Sequence, residues 1–89
     1  MDSEVIRLYD LNKKQFSSSE DYHEFLMFHI QSHIVEVNDL KANKDPHIVK
    51  ELADLTLLAH MLAIHEGADK ETFKERINKI EGKIKKNEN

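Results

Sequence analysis

The most telling stretch of this 89-residue chain is ELADLTLLAHMLAI, which occupies residues 51–64. Apolar residues fill nearly every position, so the helix formed by this stretch is predicted to be buried on all sides. Glu51 and Asp54 are three residues apart in it and therefore point to the same side. Burying two like charges is costly unless a positive group compensates them. A hard divalent cation is the simplest such group, so the stretch predicts a metal site.

The remainder of the chain predicts more helices joined by short breaks, without strand patterns or repeats. The predicted helices cover about 3–14, 18–42 and 46–66, with a fourth after Asp69 and a fraying tail at 85–89. The expected end signals are Ser17 as N-cap in a capping box, Asp45 before Pro46, Gly67 as C-cap and Asp69 as N-cap. The prediction is an all-α fold, a four-helix antiparallel bundle forming one domain over 1–89 with its core in 18–84.

Composition narrows the classes of function. The formal net charge is −4 and no concentrated basic face is visible, so duplex nucleic acid is not an expected partner. No apolar run approaches the ~20 residues of a membrane span, and the N-terminus lacks a signal-peptide pattern. The chain has no cysteine, which fits a cytoplasmic protein and excludes a thiol nucleophile or a disulfide framework.

The second and third helices carry more apolar surface than their neighbours in one chain can cover. A second copy would cover it, and a two-fold homodimer is the commonest arrangement. The alternative is a compact monomer with a few exposed apolar side chains.

Candidate metal ligands occur on both of these helices at matching helical spacing. The third helix has His47, Glu51 and Asp54, and the second has His29, His33 and Glu36, with Asp39 one turn further on. If the two helices are antiparallel, Glu36 and Glu51 lie at similar depth, because each is a few turns from the connection. The alternative is a solvated Glu51, since an acidic residue near a helix start is favoured by the helix dipole.

Two segments resemble a known family. The segment HIVEVND at 33–39, followed by ELADL at 51–55, is similar to the signature of the all-α nucleotide pyrophosphohydrolases of the MazG type. That signature is a pair of Glu on one helix and Glu-x-x-Asp on the next. The similarity continues through 58–63, Gly67 and 73–83, and spans about 22–83.

The resemblance implies a helical bundle that forms a homodimer or a dimer of dimers. It implies Mg²⁺ (or Mn²⁺) as cofactor and a nucleoside triphosphate as substrate, which is cleaved to a monophosphate and pyrophosphate. By position, the implied metal ligands are Glu36, Glu51 and Asp54, and His33 is the candidate ligand that stands in the altered first motif. Glu36 and Glu51 are the implied catalytic residues, one of which would orient the attacking water. The secondary ligand candidates His29, Asp39 and His47 come from the helical spacing alone. Lys79 and Lys83 could contact phosphates.

The chain departs from the family at the first motif, where Ser32 and His33 stand in place of glutamates. A neutral imidazole suits Mn²⁺, Fe²⁺ or Zn²⁺ better than Mg²⁺. There is also no Trp to stack on a nucleobase. Three functions therefore remain open: a metal-dependent pyrophosphohydrolase, a catalytically degenerate bundle serving as an interaction module, and a His/carboxylate transition-metal protein.

Overall fold

The computed structural model describes residues 3–87, which form four helices joined by short turns. They are α1 (Ser3–Lys13), α2 (Ser19–Ala42), α3 (Ile48–His65) and α4 (Lys70–Asn87). There is no strand among the described residues, so the all-α prediction is confirmed. α4 stays helical through Asn87, where fraying was expected from 85 onward, and positions 88 and 89 lie outside the described residues.

α2 and α3 form an antiparallel hairpin, and α1 packs against α3. The direction follows from two cross-helix pairs, because Ser19 meets His65 while His33 meets Glu51. The core is small and lies near the open end of this hairpin; its buried members are Val5, Tyr9, Tyr22, Leu26 and Met61.

His65 ties three helices together beside this core. Its Nδ1 lies 2.9 Å from the Tyr9 hydroxyl on α1, and its Nε2 lies 2.7 Å from the Ser19 carbonyl oxygen at the start of α2. The carbonyl can only accept, so Nε2 carries the proton and Nδ1 accepts from Tyr9. In this tautomer the His65 ring links α1 to the start of α2 through two hydrogen bonds. Because Nε2 donates to the Ser19 carbonyl, it cannot also accept a hydrogen bond from the nearby Ser19 hydroxyl.

Two of the four predicted helix-end signals, Gly67 and Asp69, are confirmed; the N-cap of α2 is shifted by one residue, and α3 begins at Ile48 with His47 at its N-cap position, two residues later than predicted. The N-cap of α2 is Ser18, whose hydroxyl accepts from the Asp21 amide, so the prediction of Ser17 was wrong by one position. Asp45 accepts from the His47 amide just before α3, and Gly67 ends α3 with φ +102°. Asp69 accepts from the Thr72 amide, and this hydrogen bond lowers the pKa of the Asp69 carboxyl.

The expectation that α3 is buried on all sides was wrong for the single chain. Only Glu51 and Met61 of α3 are buried, while Leu52 and Leu57 are exposed. α1 and α2 cover only part of the α3 surface, and α4 contributes no buried residue. One copy therefore forms a helical bundle that leaves large apolar surfaces open. Within residues 3–87, no helix is long and apolar enough to cross a membrane.

Candidate metal centre

His33, Glu36 and Glu51 converge where α2 and α3 approach the connecting turn. One donor atom from each lies within 4.8 Å of the donor atoms of the other two. His33 and Glu36 are one helical turn apart on α2, so they share a face. Glu51 belongs to the first turn of α3 and reaches that face across the hairpin. The antiparallel arrangement predicted from the sequence thus brings Glu36 and Glu51 to one level.

The contact between His33 and Glu51 is close but is not a hydrogen bond. Their atoms Nδ1 and Oε2 lie 2.9 Å apart, and both are buried without any hydrogen-bond partner in the described structure. The Glu51 side chain is only 10% exposed, so water does not replace the missing partner easily. Buried polar atoms are nearly always paired, and an unpaired one costs about 1–3 kcal/mol. These two atoms form an ion pair when His33 is protonated, and a neutral His33 leaves both without a partner.

The other separations in the cluster suit two ligands of one ion. Glu36 Oε2 lies 3.9 Å from His33 Nδ1, and His47 Nε2 lies 3.5 Å from Glu51 Oε1. Ligands held about 2.0–2.2 Å from a tetrahedral ion are themselves roughly 3.3–3.6 Å apart. The 3.5 Å separation lies within this range and the 3.9 Å separation slightly above it, so small side-chain rotations would complete such a shell. Glu36 is half exposed, so the cluster is open to solvent on its side.

Asp54 does not belong to this group. It is exposed, although its apolar neighbours predicted a shielded carboxylate. The prediction failed because the part of α3 that flanks Asp54 is uncovered in the single chain. Asp54 instead lines a cavity of about 410 Å³ between α1, α2 and α3.

This cavity adjoins the metal cluster, because His33 lines it as well. Its wall is mainly apolar and includes Phe25, whose ring lies 4.4 Å from that of His29. Asn12 and Gln15 add carboxamide groups from the end of α1 and the turn after it. No sequence signal pointed to these two residues, since only the packing of α1 against α3 brings them near His33.

The remaining predicted site residues take different positions. His29 lines the cavity, and His47 is exposed but reaches Glu51. Asp39 is exposed one turn beyond Glu36 and is not among the clustered ligands. Lys79 and Lys83 are exposed on α4 and are not part of the cluster or the cavity wall.

Comparisons with protein-family models, with curated proteins and with solved structures find no match for this chain.

Proposed function

We propose that this chain is a metal-dependent nucleoside triphosphate pyrophosphohydrolase of the MazG type, with its ion held by His33, Glu36 and Glu51. The observation that carries the proposal is the pair of buried, unpartnered atoms Glu51 Oε2 and His33 Nδ1, 2.9 Å apart. A divalent cation would satisfy both atoms at once. The similarity of residues 33–39 and 51–55 to the family signature supplies the reaction.

The three side chains would have different roles, because they differ in burial. Glu51 and His33 are the more buried and would hold the ion in place. Glu36 is 53% exposed, so it can orient the attacking water and accept its proton as the bond between the α- and β-phosphates breaks. The bound ion would neutralise charge on the phosphate oxygens and acidify that water.

The neighbouring cavity supports an organic substrate. Its volume of about 410 Å³ falls in the range of roughly 300–1,000 Å³ that is usual for small-molecule sites. A triphosphate bound at His33 would direct its nucleoside toward Phe25 and His29, whose rings offer a surface for a base. Asp54 and the carboxamides of Asn12 and Gln15 would provide polar contacts there.

A second candidate function is transition-metal binding without nucleotide hydrolysis. The cluster favours it because His33 supplies an imidazole and His47 lies close to Glu51, while Asp54 is absent from the group. Mixed imidazole and carboxylate ligands suit Zn²⁺, Mn²⁺ or Fe²⁺.

We also propose that the working form is a homodimer. The exposed apolar side chains of the hairpin support this, among them Phe28 and Val35 on α2 and Val49 on α3. Contiguous exposed apolar surface is typical of a protein–protein interface.

The deciding experiment measures pyrophosphate release from canonical and modified nucleoside triphosphates with Mg²⁺, Mn²⁺ or Zn²⁺. We expect release by the wild type and by Glu24→Gln, a control at an exposed glutamate of α2, and a loss of at least 100-fold in Glu51→Gln. Tight binding of Zn²⁺ or Mn²⁺ with no release from any nucleotide would favour the second candidate. Neither binding nor release would refute both.

A further inference from the structure

α4 carries a narrow apolar stripe that residues 3–87 leave uncovered except at Phe73. The stripe consists of Phe73, Ile77, Ile80 and Ile84, and the three isoleucines are all at least half exposed. The spacing is four, three and four residues, which is the a/d pattern of a coiled coil. A core-facing helix of a globular protein usually has a broader apolar face. The pattern therefore points to another helix with the same seam as the partner.

We propose that α4 pairs in parallel with α4 of a second copy of this chain. The charges beside the seam favour this orientation. With Ile77 at an a position, Arg76 takes the preceding g position and Glu81 the following e position. In a parallel pair, Arg76 faces Glu81 of the second copy, and the contact occurs twice. In an antiparallel pair, Glu81 would face Lys74 of the second copy, but Arg76 would face Lys83, and that repulsion offsets the attraction.

The outer face of α4 agrees with this assignment. Gly82 takes the f position, farthest from the seam, where a missing side chain costs no packing. Glu81 also forms an exposed ion pair with Lys85 at 3.2 Å, one turn along its own helix. Such a pair is weak and leaves Glu81 able to turn toward an arginine.

The N-terminal end of the α4 stripe lies beside α3. The α4 helix of a second copy would therefore also contact an apolar surface of α3 there. The Phe73 ring lies 5.1 Å from the His60 ring, and both line a cavity of about 400 Å³ with Ile77. The Nε2 atom of His60 is buried and has no hydrogen-bond partner in the described structure. Two heptads alone form a short seam, and this adjoining surface extends it.

This inference rests on the homodimer in the proposed function but needs neither metal nor nucleotide. The chain has no cysteine, so a single introduced cysteine reports one position. In a parallel pair, residue 77 faces its own copy, and Ile77→Cys should form a disulfide-linked dimer under mild oxidation. The matched control is Gly82→Cys on the outer face of the same helix, which should stay uncross-linked. Ile77 is 64% exposed in one copy, so the substitution leaves the single-chain core intact.

Sedimentation of the full chain, together with these variants, separates the outcomes. We expect the wild type to self-associate and Ile80→Lys to shift it to monomer with unchanged helicity. Cross-linking of Ile77→Cys/Ile80→Cys, but of neither single variant, would indicate antiparallel helices and overturn the proposed orientation. A dimer in which Ile77→Cys does not cross-link and Ile80→Lys has no effect would keep the homodimer and overturn the α4 seam. A wild type that stays monomeric would overturn both, and pyrophosphate release would still test the enzyme.

Discussion

Replacing Glu51 with Gln should make the metal-free protein more stable, although Glu51 is central to the proposed site. In the wild type, Glu51 Oε2 and His33 Nδ1 are 2.9 Å apart, buried and unpartnered. When the His33 ring is neutral and carries its proton on Nε2, Nδ1 presents a lone pair to the carboxylate. The Gln amide has the same shape but carries no charge. Its N–H₂ group can donate to Nδ1, which satisfies one atom and removes the buried charge of the other.

The size of the effect follows from the cost of an unpartnered buried group, about 1–3 kcal/mol. For a domain of this size, each kcal/mol shifts the Tm by roughly 4–8 °C, so the gain should be on the order of 10 °C. Added metal should stabilise the wild type more than Glu51→Gln. An ion at 100 times its Kd stabilises the wild type by about 2.7 kcal/mol, whereas Glu51→Gln should gain little.

Thermal unfolding followed by circular dichroism tests both effects at one protein concentration, with a chelator and then with Mn²⁺ or Zn²⁺. The exposed variant Glu24→Gln controls for the loss of one surface charge. The reasoning is refuted if metal-free Glu51→Gln melts at or below the wild-type temperature. That result would mean that the Glu51–His33 contact already stabilises the metal-free chain as an ion pair.

Four other predictions concern single positions. Burial, with a smaller effect of the nearby Tyr9, raises the pKa of Tyr22 to about 12. The unfolded chain releases this proton near pH 10, so the free energy of unfolding should fall by about 2–3 kcal/mol between pH 10 and 12. Denaturant titrations should show that Tyr22→Phe removes this loss. Gly82→Ala should stabilise α4 by up to about 1 kcal/mol, because its Cβ meets open space. Gly67→Ala should destabilise the protein in the same melting assay, because φ there is +102°. Asp54→Asn should keep the metal-dependent rise in Tm, because Asp54 lies outside the ligand cluster; losing the rise would place Asp54 in the metal shell.

The elements of the fold follow from local signals, whereas burial does not. Caps such as Asp69 and breaks such as Gly67 act within a few residues of sequence, so the helix ends could be predicted closely. The burial of a helix depends on which neighbours reach it. Periodicity shows that α3 is apolar but not that α1 and α2 cover only part of it. This is why Leu52, expected in a core, is exposed in one copy.

The same contrast between local signals and long-range contacts applies to the candidate site. The pairing of Glu36 with Glu51 follows from an antiparallel hairpin and equal distance from the turn, both of which can be read from the sequence. The separation of Asp54 from the cluster does not, since Asp54 lies one turn further along the same side of α3, where it lines the cavity beside α1 instead of meeting Glu36. Asn12 and Gln15 enter the cavity wall only because α1 packs across the hairpin. Such long-range contacts leave no local pattern.

The two unusual features of this chain, a buried carboxylate without a partner and apolar faces without cover, have one physical consequence. Each lowers the stability of the isolated, metal-free chain, and each would be relieved by a binding event that the unfolded chain cannot make. Ligands that bind only the folded state stabilise it by mass action, and a second copy acts as such a ligand. A metal ion would act at the Glu51 end of the hairpin, and a second copy along the α4 stripe. Since these places share no residue in the described structure, the two gains in stability should add. When the stabilisation by metal and the stabilisation by dimerisation are measured together, additive gains would indicate two separate sites. Non-additive gains would place the metal site at the interface between copies.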